Sequence, residues 1–316
     1  IQLSLTESMQ DKYIPLKQQR DVGEMITTYF EFFKQNFKPF LNIFISYNGL
    51  FILGFLGVSY LMVTGFLGAY NASNTYGIES DNSSYFMMLG LGFMGFFILY
   101  IITAVLNYSL AAVYVIEYEK NRGAAVEKRK VWEMVKQNLG KIILFIILMV
   151  IGYVVAMVAG MILGFIPIIG TFAYYLIVLA YTSWMGLAFM AMINDNKDVI
   201  DAFGEGWKLL KSFFWKSVLT NLIIGMLLGI LMLVVMMVPG ILIGIYAFHS
   251  LDSGVDLANS AGASVVWTLA LSILLILYTL NQSMIQFVNG ILYFSVHEET
   301  YNEATRERIE NIGAGE

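Results

Sequence analysis

Five stretches of the chain contain no Asp, Glu, Lys or Arg: 39–78, 82–116, 142–194, 217–251 and 257–297. A helix that crosses the hydrocarbon core of a bilayer needs about 20 consecutive apolar residues. Four of these stretches each hold one such helix. The stretch 142–194 is too long for one, and "GFIPIIGT" (164–171) at its middle supplies the Gly and Pro of a tight turn. The pattern therefore predicts six spans, near 40–69, 85–116, 142–165, 168–193, 217–248 and 265–296. The expected fold class is all-α, a polytopic membrane protein.

The charged segments between the apolar stretches are themselves patterned. "FEFFKQNFKPF" (30–40), "WEMVKQNLGKI" (132–142) and "WKLLKSFFWKS" (207–217) align without gaps, and each stands directly before an apolar hairpin. Each has an aromatic followed four residues later by Lys: Phe30 and Lys34, Trp132 and Lys136, Trp207 and Lys211. Such spacing predicts three repeats of one amphipathic helix plus a transmembrane hairpin. The expected organisation is an N-terminal arm (1–20), a membrane domain (21–296, with repeats 21–116, 123–193 and 198–296) and a C-terminal tail (297–316). In the first copy Val22, Met25, Ile26, Tyr29, Phe33 and Phe37 form one apolar stripe. In the third, Val199, Ile200, Phe203, Trp207, Leu210 and Phe214 do the same.

Residues four apart share a helix face, so each ring can sit at headgroup level while its lysine stem reaches phosphate. Lys34, Trp132, Lys136, Trp207, Lys211 and Trp215 are thus candidate contacts for lipid headgroups or a partner. The simpler reading is an interfacial anchor, and the sharper one a lipid-phosphate or polyanion site. Nucleic acid is not an expected partner, because Glu133, Asp198, Asp201 and Glu205 are interleaved with the lysines.

The distribution of charge orients the chain. The turns at 70–84, 165–170 and 249–264 carry none of the 18 basic residues. Positive residues stay on the cytoplasmic side of a membrane, which predicts both termini and the two long connections inside. Composition agrees: 58% of residues are hydrophobic and 13% charged, against roughly 25% charged in soluble domains. No signal peptide is expected, because the first apolar stretch is too long for one.

"VPGILIGIYAF" (238–248) and "NDNKDVIDAFGEGWKLLKSFFWK" (194–216) resemble two signatures of the glycerophosphodiester phosphodiesterase membrane-domain family and its six-span bacterial relatives. The resemblance covers practically the whole chain. Glu205 and Gly206 stand where that family usually has Arg and Ser, and no phosphodiesterase domain follows the last span. The resemblance implies the membrane fold and a bacterial inner membrane, with other membrane proteins as partners and no phosphodiesterase activity.

Candidate chemistry is sparse. Cysteine is absent, which removes disulfides and thiolate chemistry. Neither His249 nor His297 has a second His nearby in sequence, so no metal or cofactor is expected, and "HEET" (297–300) reads as a solvated helix end. No span contains a carboxylate that could serve as acid, base or nucleophile. The polar residues of the sixth span, Asn281, Gln282, Ser283, Gln286 and Asn289, form the one intramembrane cluster. Asn107 and Asn221 could join it. Amides in hydrocarbon must find partners, and two readings stay open: glue between helices, or the wall of a polar path. Small residues at Gly152, Ala156, Gly160 and Gly164, and at Gly225 and Gly229, predict close helix contact, within the chain or against a partner. After Pro239 the fifth span is expected to kink and continue, or to break into a re-entrant piece. The expected function is a non-enzymatic membrane subunit working with lipid and other membrane proteins or a second copy. A transporter or lipid-handling protein is the alternative.

Overall fold

A computed structural model of the chain describes residues 13–74, 83–252, 260–303 and 306. Among these, eight helices and no strand occur: α1 (Val22–Asn74), α2 (Ser83–Lys120), α3 (Lys128–Gln137), α4 (Leu139–Leu163), α5 (Ile169–Asn194), α6 (Val199–Ser212), α7 (Phe214–Asp252) and α8 (Ala261–Tyr301). All but α3 and α6 are long and apolar enough to cross a membrane. The chain is an all-α polytopic membrane protein. Residues 75–82 of the expected turn 70–84, residues 253–259 of the expected turn 249–264, and most of the expected N-terminal arm and C-terminal tail lie outside the described residues.

Local chemistry explains the helix ends. Asp21 and Glu24 form a reciprocal capping box: the Glu24 N–H donates to Asp21 Oδ1 at 2.8 Å, and the Asp21 N–H donates to Glu24 Oε2 at 2.9 Å. From there α1 runs unbroken through Pro39, so the first amphipathic segment and first span are one helix of 53 residues. The other two amphipathic segments are separate helices. The break after α3 is Asn138 (φ −99°, ψ 5°), and the break after α6 is Phe213 (φ −129°, ψ 45°). These two residues occupy the same column of the sequence alignment. Pro239 lies inside α7, which continues to Asp252, so the re-entrant alternative does not hold.

Contacts divide the chain into two compact units. The first comprises the described residues of 1–43, 108–227 and 283–316, stretches that contain all 18 Lys and Arg of the sequence. Its core is built from the last turns of α2, α5 and α8. Leu110–Val115, Leu187–Met192 and Phe287–Val296 are almost wholly buried. Tyr108 of α2 packs edge-on against Phe189 of α5, with ring centres 4.7 Å apart. Gly290 of α8 lies against Val115 of α2, and Gly186 of α5 against Asn289 of α8. The first turns of α1 close one side of this core, where Phe32 meets Tyr118 and Phe287 edge-on.

Helix α6 folds back on α5. Gly206 lies on the Ala188 backbone, where an added Cβ would stand 2.6 Å from the Ala188 nitrogen. The Trp184 indole donates to the Phe203 carbonyl at 2.8 Å. Of the apolar stripe expected for the third segment, Val199 and Leu210 are buried in this contact. The buried face is Val199, Ala202, Gly206, Leu209 and Leu210, whereas Ile200 is 71% and Trp207 52% exposed. Small residues let the two backbones approach.

The second unit comprises the described residues of 44–107 and 228–282. Here α1 and α2 pack through small residues: Gly95 against Val58, Gly92 against Met62 and Gly65 against Leu89. Asn48 Nδ2 donates to Asn107 Oδ1 at 2.8 Å. Tyr100 of α2 stacks on Tyr278 of α8 at 5.7 Å.

The glycine rows separate into used and unused sets. Gly152 and Gly160 of α4 receive Tyr181 and Tyr174 of α5, so that row packs within the chain. Gly225 and Gly229 of α7 have nothing within 4 Å of an added Cβ. We expect Gly206→Ala to destabilise the protein by about 1–3 kcal/mol, because backbone atoms cannot yield to the new methyl. Gly229→Ala should leave stability unchanged or slightly raised. Thermal melts of the two variants in detergent check the contrast.

Candidate functional site

The densest polar constellation lies where α5, α6 and α8 of the first unit converge, and it was not expected from sequence. Asp195 and Lys197 stand in the α5–α6 turn, Glu205 on α6, and Tyr293, His297 and Tyr301 at four-residue spacing on α8. That spacing places the three rings on one helix face. Their centres follow at 5.2 Å and 4.6 Å.

The carboxylates, the lysine and the two tyrosine hydroxyls of this constellation are each hydrogen-bonded. Tyr293 donates to Asp195 Oδ1 at 2.8 Å. Lys197 Nζ donates to Glu205 Oε2 at 2.8 Å and lies 3.6 Å from Asp195 Oδ2. Tyr301 donates to Glu205 Oε1 at 2.6 Å and accepts from Lys208 Nζ at 2.7 Å. Lys216 pairs with Glu299 beside it. His297 is 8% exposed, with Nε2 4.0 Å from Asp195 Oδ2 and Nδ1 4.0 Å from Glu303 Oε2. The expected solvated "HEET" helix end is therefore corrected. His297 and Glu298 are buried because α6 and the Asp195 turn cover the end of α8.

Electrostatics follow from this closure. Burial pushes the Glu205 carboxyl up, but hydrogen bonds from Lys197 and Tyr301 outweigh it and hold the group below the ordinary carboxylate range. Burial likewise pulls the Lys197 ammonium down, and its bond to Glu205 with the charges of Glu205 and Asp195 holds it above its ordinary value. Both ions are charged at neutral pH. The paired charges of Asp195, Lys197 and Glu205 lock these helix ends together.

A second feature is the strap formed by residues 13–21 across the ends of α2 and α8. The Leu16 and Lys17 N–H groups donate to the Glu119 carboxylate at 2.8 and 3.3 Å, and the Arg20 N–H donates to Ser295 Oγ at 3.2 Å. The Arg20 guanidinium turns inward onto the carbonyls of Pro15, Leu16 and Gln18. Burial pulls it below its ordinary value, opposed by the charge of Glu119. Between this strap and the first turns of α1 lies a groove of about 1260 Å³, lined among others by Asp21, Glu24, Glu31, Lys34 and Lys38. Its charges balance, which selects neither an anion nor a cation.

The candidate contact residues all lie outward or at the rim. Lys34, Lys136 and Lys211 are exposed, Trp132 is half-buried, and Trp207 and Trp215 are exposed. Lys136 Nζ stands 5.9 Å from the centre of the Trp132 ring, so in that copy the aromatic and its lysine do meet. Trp207 rests edge-on against Trp184 at 5.2 Å.

The candidate polar cluster of the sixth span separates into two. Gln286 and Asn289 belong to the first unit and are fully buried. Asn289 Nδ2 donates to Gln286 Oε1 at 3.0 Å, and Gln286 Nε2 contacts Met190 Sδ at 3.4 Å. Asn281 and Gln282 belong to the second unit and are half-buried. Their side-chain carbonyl oxygens Asn281 Oδ1 and Gln282 Oε1 have no hydrogen-bond partner. Asn107 joins Asn48 and the Thr279 carbonyl, and Asn221 donates to Ser183 Oγ at 2.9 Å.

No family model, no curated protein and no solved structure matches this chain. Among the described residues no group of three or more His, Cys, Asp and Glu is placed to hold a metal ion.

The Lys197–Glu205 pair generates a prediction. Because the Glu205 pKa is depressed on folding, its contribution is present above the ordinary carboxylate value of 4.5 and is lost as pH falls through its lower folded value. The raised Lys197 contributes below its ordinary 10.5 and loses that contribution only as pH rises through its folded value. Lys197→Met should therefore cost about 1–2 kcal/mol at pH 7. The Tm gap to wild type should shrink as the pH drops below the carboxylate range, in a melt series from pH 3 to 8 on the order of one unit apart.

Proposed function

We propose that the chain is a non-enzymatic integral membrane subunit, a structural or interaction component of a bacterial inner-membrane complex, with both termini in the cytoplasm. The observation that carries this reading is the closure of the polar groups. The charged cluster around Asp195, Lys197 and Glu205 is internally paired, and the buried Gln286 and Asn289 amides bond to each other and to Tyr108, with Asn289 Oδ1 as one open acceptor. What faces outward is apolar helix surface and the three aromatic–lysine pairs. Surfaces of that kind suit lipid headgroups and neighbouring membrane proteins. The confinement of all 18 basic residues to one group of stretches supports the cytoplasmic placement of the termini. The three aligned segments support a threefold internal repeat, and the likeness to the glycerophosphodiester phosphodiesterase membrane domains supports a bacterial setting.

One observation favours a second reading, a transporter or lipid-handling protein. In the second unit Asn48, Asn281 and Gln282 each have a buried side-chain oxygen with no hydrogen-bond partner. Acceptors left open in hydrocarbon are costly unless water or a polar solute reaches them.

Two variants separate the readings. Trp207→Ala with Lys211→Ala removes two exposed groups and the edge contact of Trp207 with Trp184, so it should lower the stability of the isolated chain by only about 0.5–1.5 kcal/mol. It should also weaken the assembly that migrates as one species when the tagged protein is extracted in mild detergent. Asn281→Leu with Gln282→Leu removes two open acceptors and should be neutral or stabilising by about 1 kcal/mol. Proteoliposomes that move a solute or flip a lipid with the wild-type chain, and stop doing so with the leucine variant, would establish the second reading instead.

A further inference from the structure

The α4–α5 turn differs in kind from an aqueous loop. Between Leu163 and Thr171 no side chain carries a hydrogen-bonding group, since the segment reads Gly-Phe-Ile-Pro-Ile-Ile-Gly. Its large side chains stand outward, with Phe165 87% and Ile168 73% exposed. A turn meeting water would leave backbone N–H groups to the solvent. Here five of the six N–H groups from Gly164 to Gly170 bond within the hairpin. Gly164 donates to Gly160, Phe165 to Ile162, Ile166 to Leu163, Ile169 to Pro167 and Gly170 to Ile166. Pro167 has no N–H to satisfy. The geometry is held at some strain: Ile168 takes φ 64°, and an added Cβ on Gly170 would collide with the Leu163 carbonyl. A non-Gly residue with left-handed backbone, tolerated so that donors stay inside, is what hydrocarbon demands.

Length points the same way. The Lys141 ammonium is tied to the Asn196 and Lys197 carbonyls and to Asp198. This marks the polar end of the hairpin. From Lys141 to Leu163 the helix rises about 33 Å, so with Lys141 among the near headgroups the turn reaches no further than the far edge of the roughly 30 Å hydrocarbon core. The helices α2, α7 and α8, with 38, 39 and 41 residues, are longer than the whole bilayer thickness, whereas α4 and α5 have 25 and 26. The outward face of α4 stays apolar up to the turn through Val154, Val158 and Ile162. Tyr175, one and a half turns into α5, is exposed. Helical side chains lean toward the N-terminus, so its hydroxyl reaches toward the far headgroups from beneath.

We propose that the α4–α5 turn is embedded in the acyl chains of the far leaflet and never meets water. The second hairpin is then open to the aqueous phase on its basic side only, and its tip is an interaction surface for lipid acyl chains. This goes beyond the proposed subunit role and does not depend on it.

The absence of cysteine from the sequence makes the test direct. Phe165→Cys and, separately, Ile169→Cys are made in the full chain and reconstituted into phosphatidylcholine vesicles, with Ser83→Cys and Ala261→Cys for comparison. Both turn cysteines should resist a membrane-impermeant maleimide added to either side, and react once detergent is added. Labelled with a permeant NBD reagent, they should emit at the blue-shifted wavelength of a dry site. They should also be quenched by lipids brominated on the acyl chains. Reaction with the impermeant reagent in intact vesicles would overturn the proposal. So would a dry, unreactive site that brominated lipid fails to quench, because protein would then cover the turn.

Discussion

The last turns of α2, α5 and α8 pack so tightly that no water reaches the side chains between them, and the first unit depends on that contact. It is made possible by small residues at the crossing points. Gly186 admits Asn289, Gly290 admits Val115, and Gly206 brings α6 onto the backbone of Ala188. In hydrocarbon there is little hydrophobic force between helices, so association rests on close van der Waals approach and satisfied polar groups. Both are present in one place here. The aromatic rings of Phe32, Tyr108, Phe189 and Phe287 pack edge-on in pairs within the same core.

That core makes the charged cluster explicable. Once α6 lies back on α5, Glu205 and Lys197 are carried to the end of α8, where Tyr293, His297 and Tyr301 present one face. Partly buried ions are stable only when paired and hydrogen-bonded. The turn residues Asp195 and Lys197 complete the set. The cluster is therefore a closure of the bundle end, and the strap of residues 13–21 finishes it by bonding to Glu119 and Ser295.

Each unit holds its own share of the sixth-span amides. In the first, the amides at Gln286 and Asn289 bond to each other and to Tyr108, while Asn289 Oδ1 stays open. In the second, Asn48 and Asn107 bond, while the acceptor oxygens of Asn281 and Gln282 remain open. One short run of the sixth span thus serves two environments.

Much of the architecture was legible in the order of residues. Charge cannot enter hydrocarbon without large cost, so the charge-free stretches marked the six apolar helices, and the Gly and Pro of "GFIPIIGT" marked the turn between α4 and α5. Alignment of the three aromatic–lysine segments anticipated the outward lysines and the meeting of Trp132 with Lys136. Hydrophobicity along one helix could not say which of two apolar faces would be covered. The close approach of Gly206 to Ala188 decided it, leaving Ile200 and Trp207 outside. Nor could the chain order reveal that His297 would be enclosed, since Asp195 and Glu205 lie about a hundred residues away along the chain. Periodicity reports the environment of a helix in its own frame. Which helix supplies that environment, and which charges it brings along, is settled only when the bundle closes.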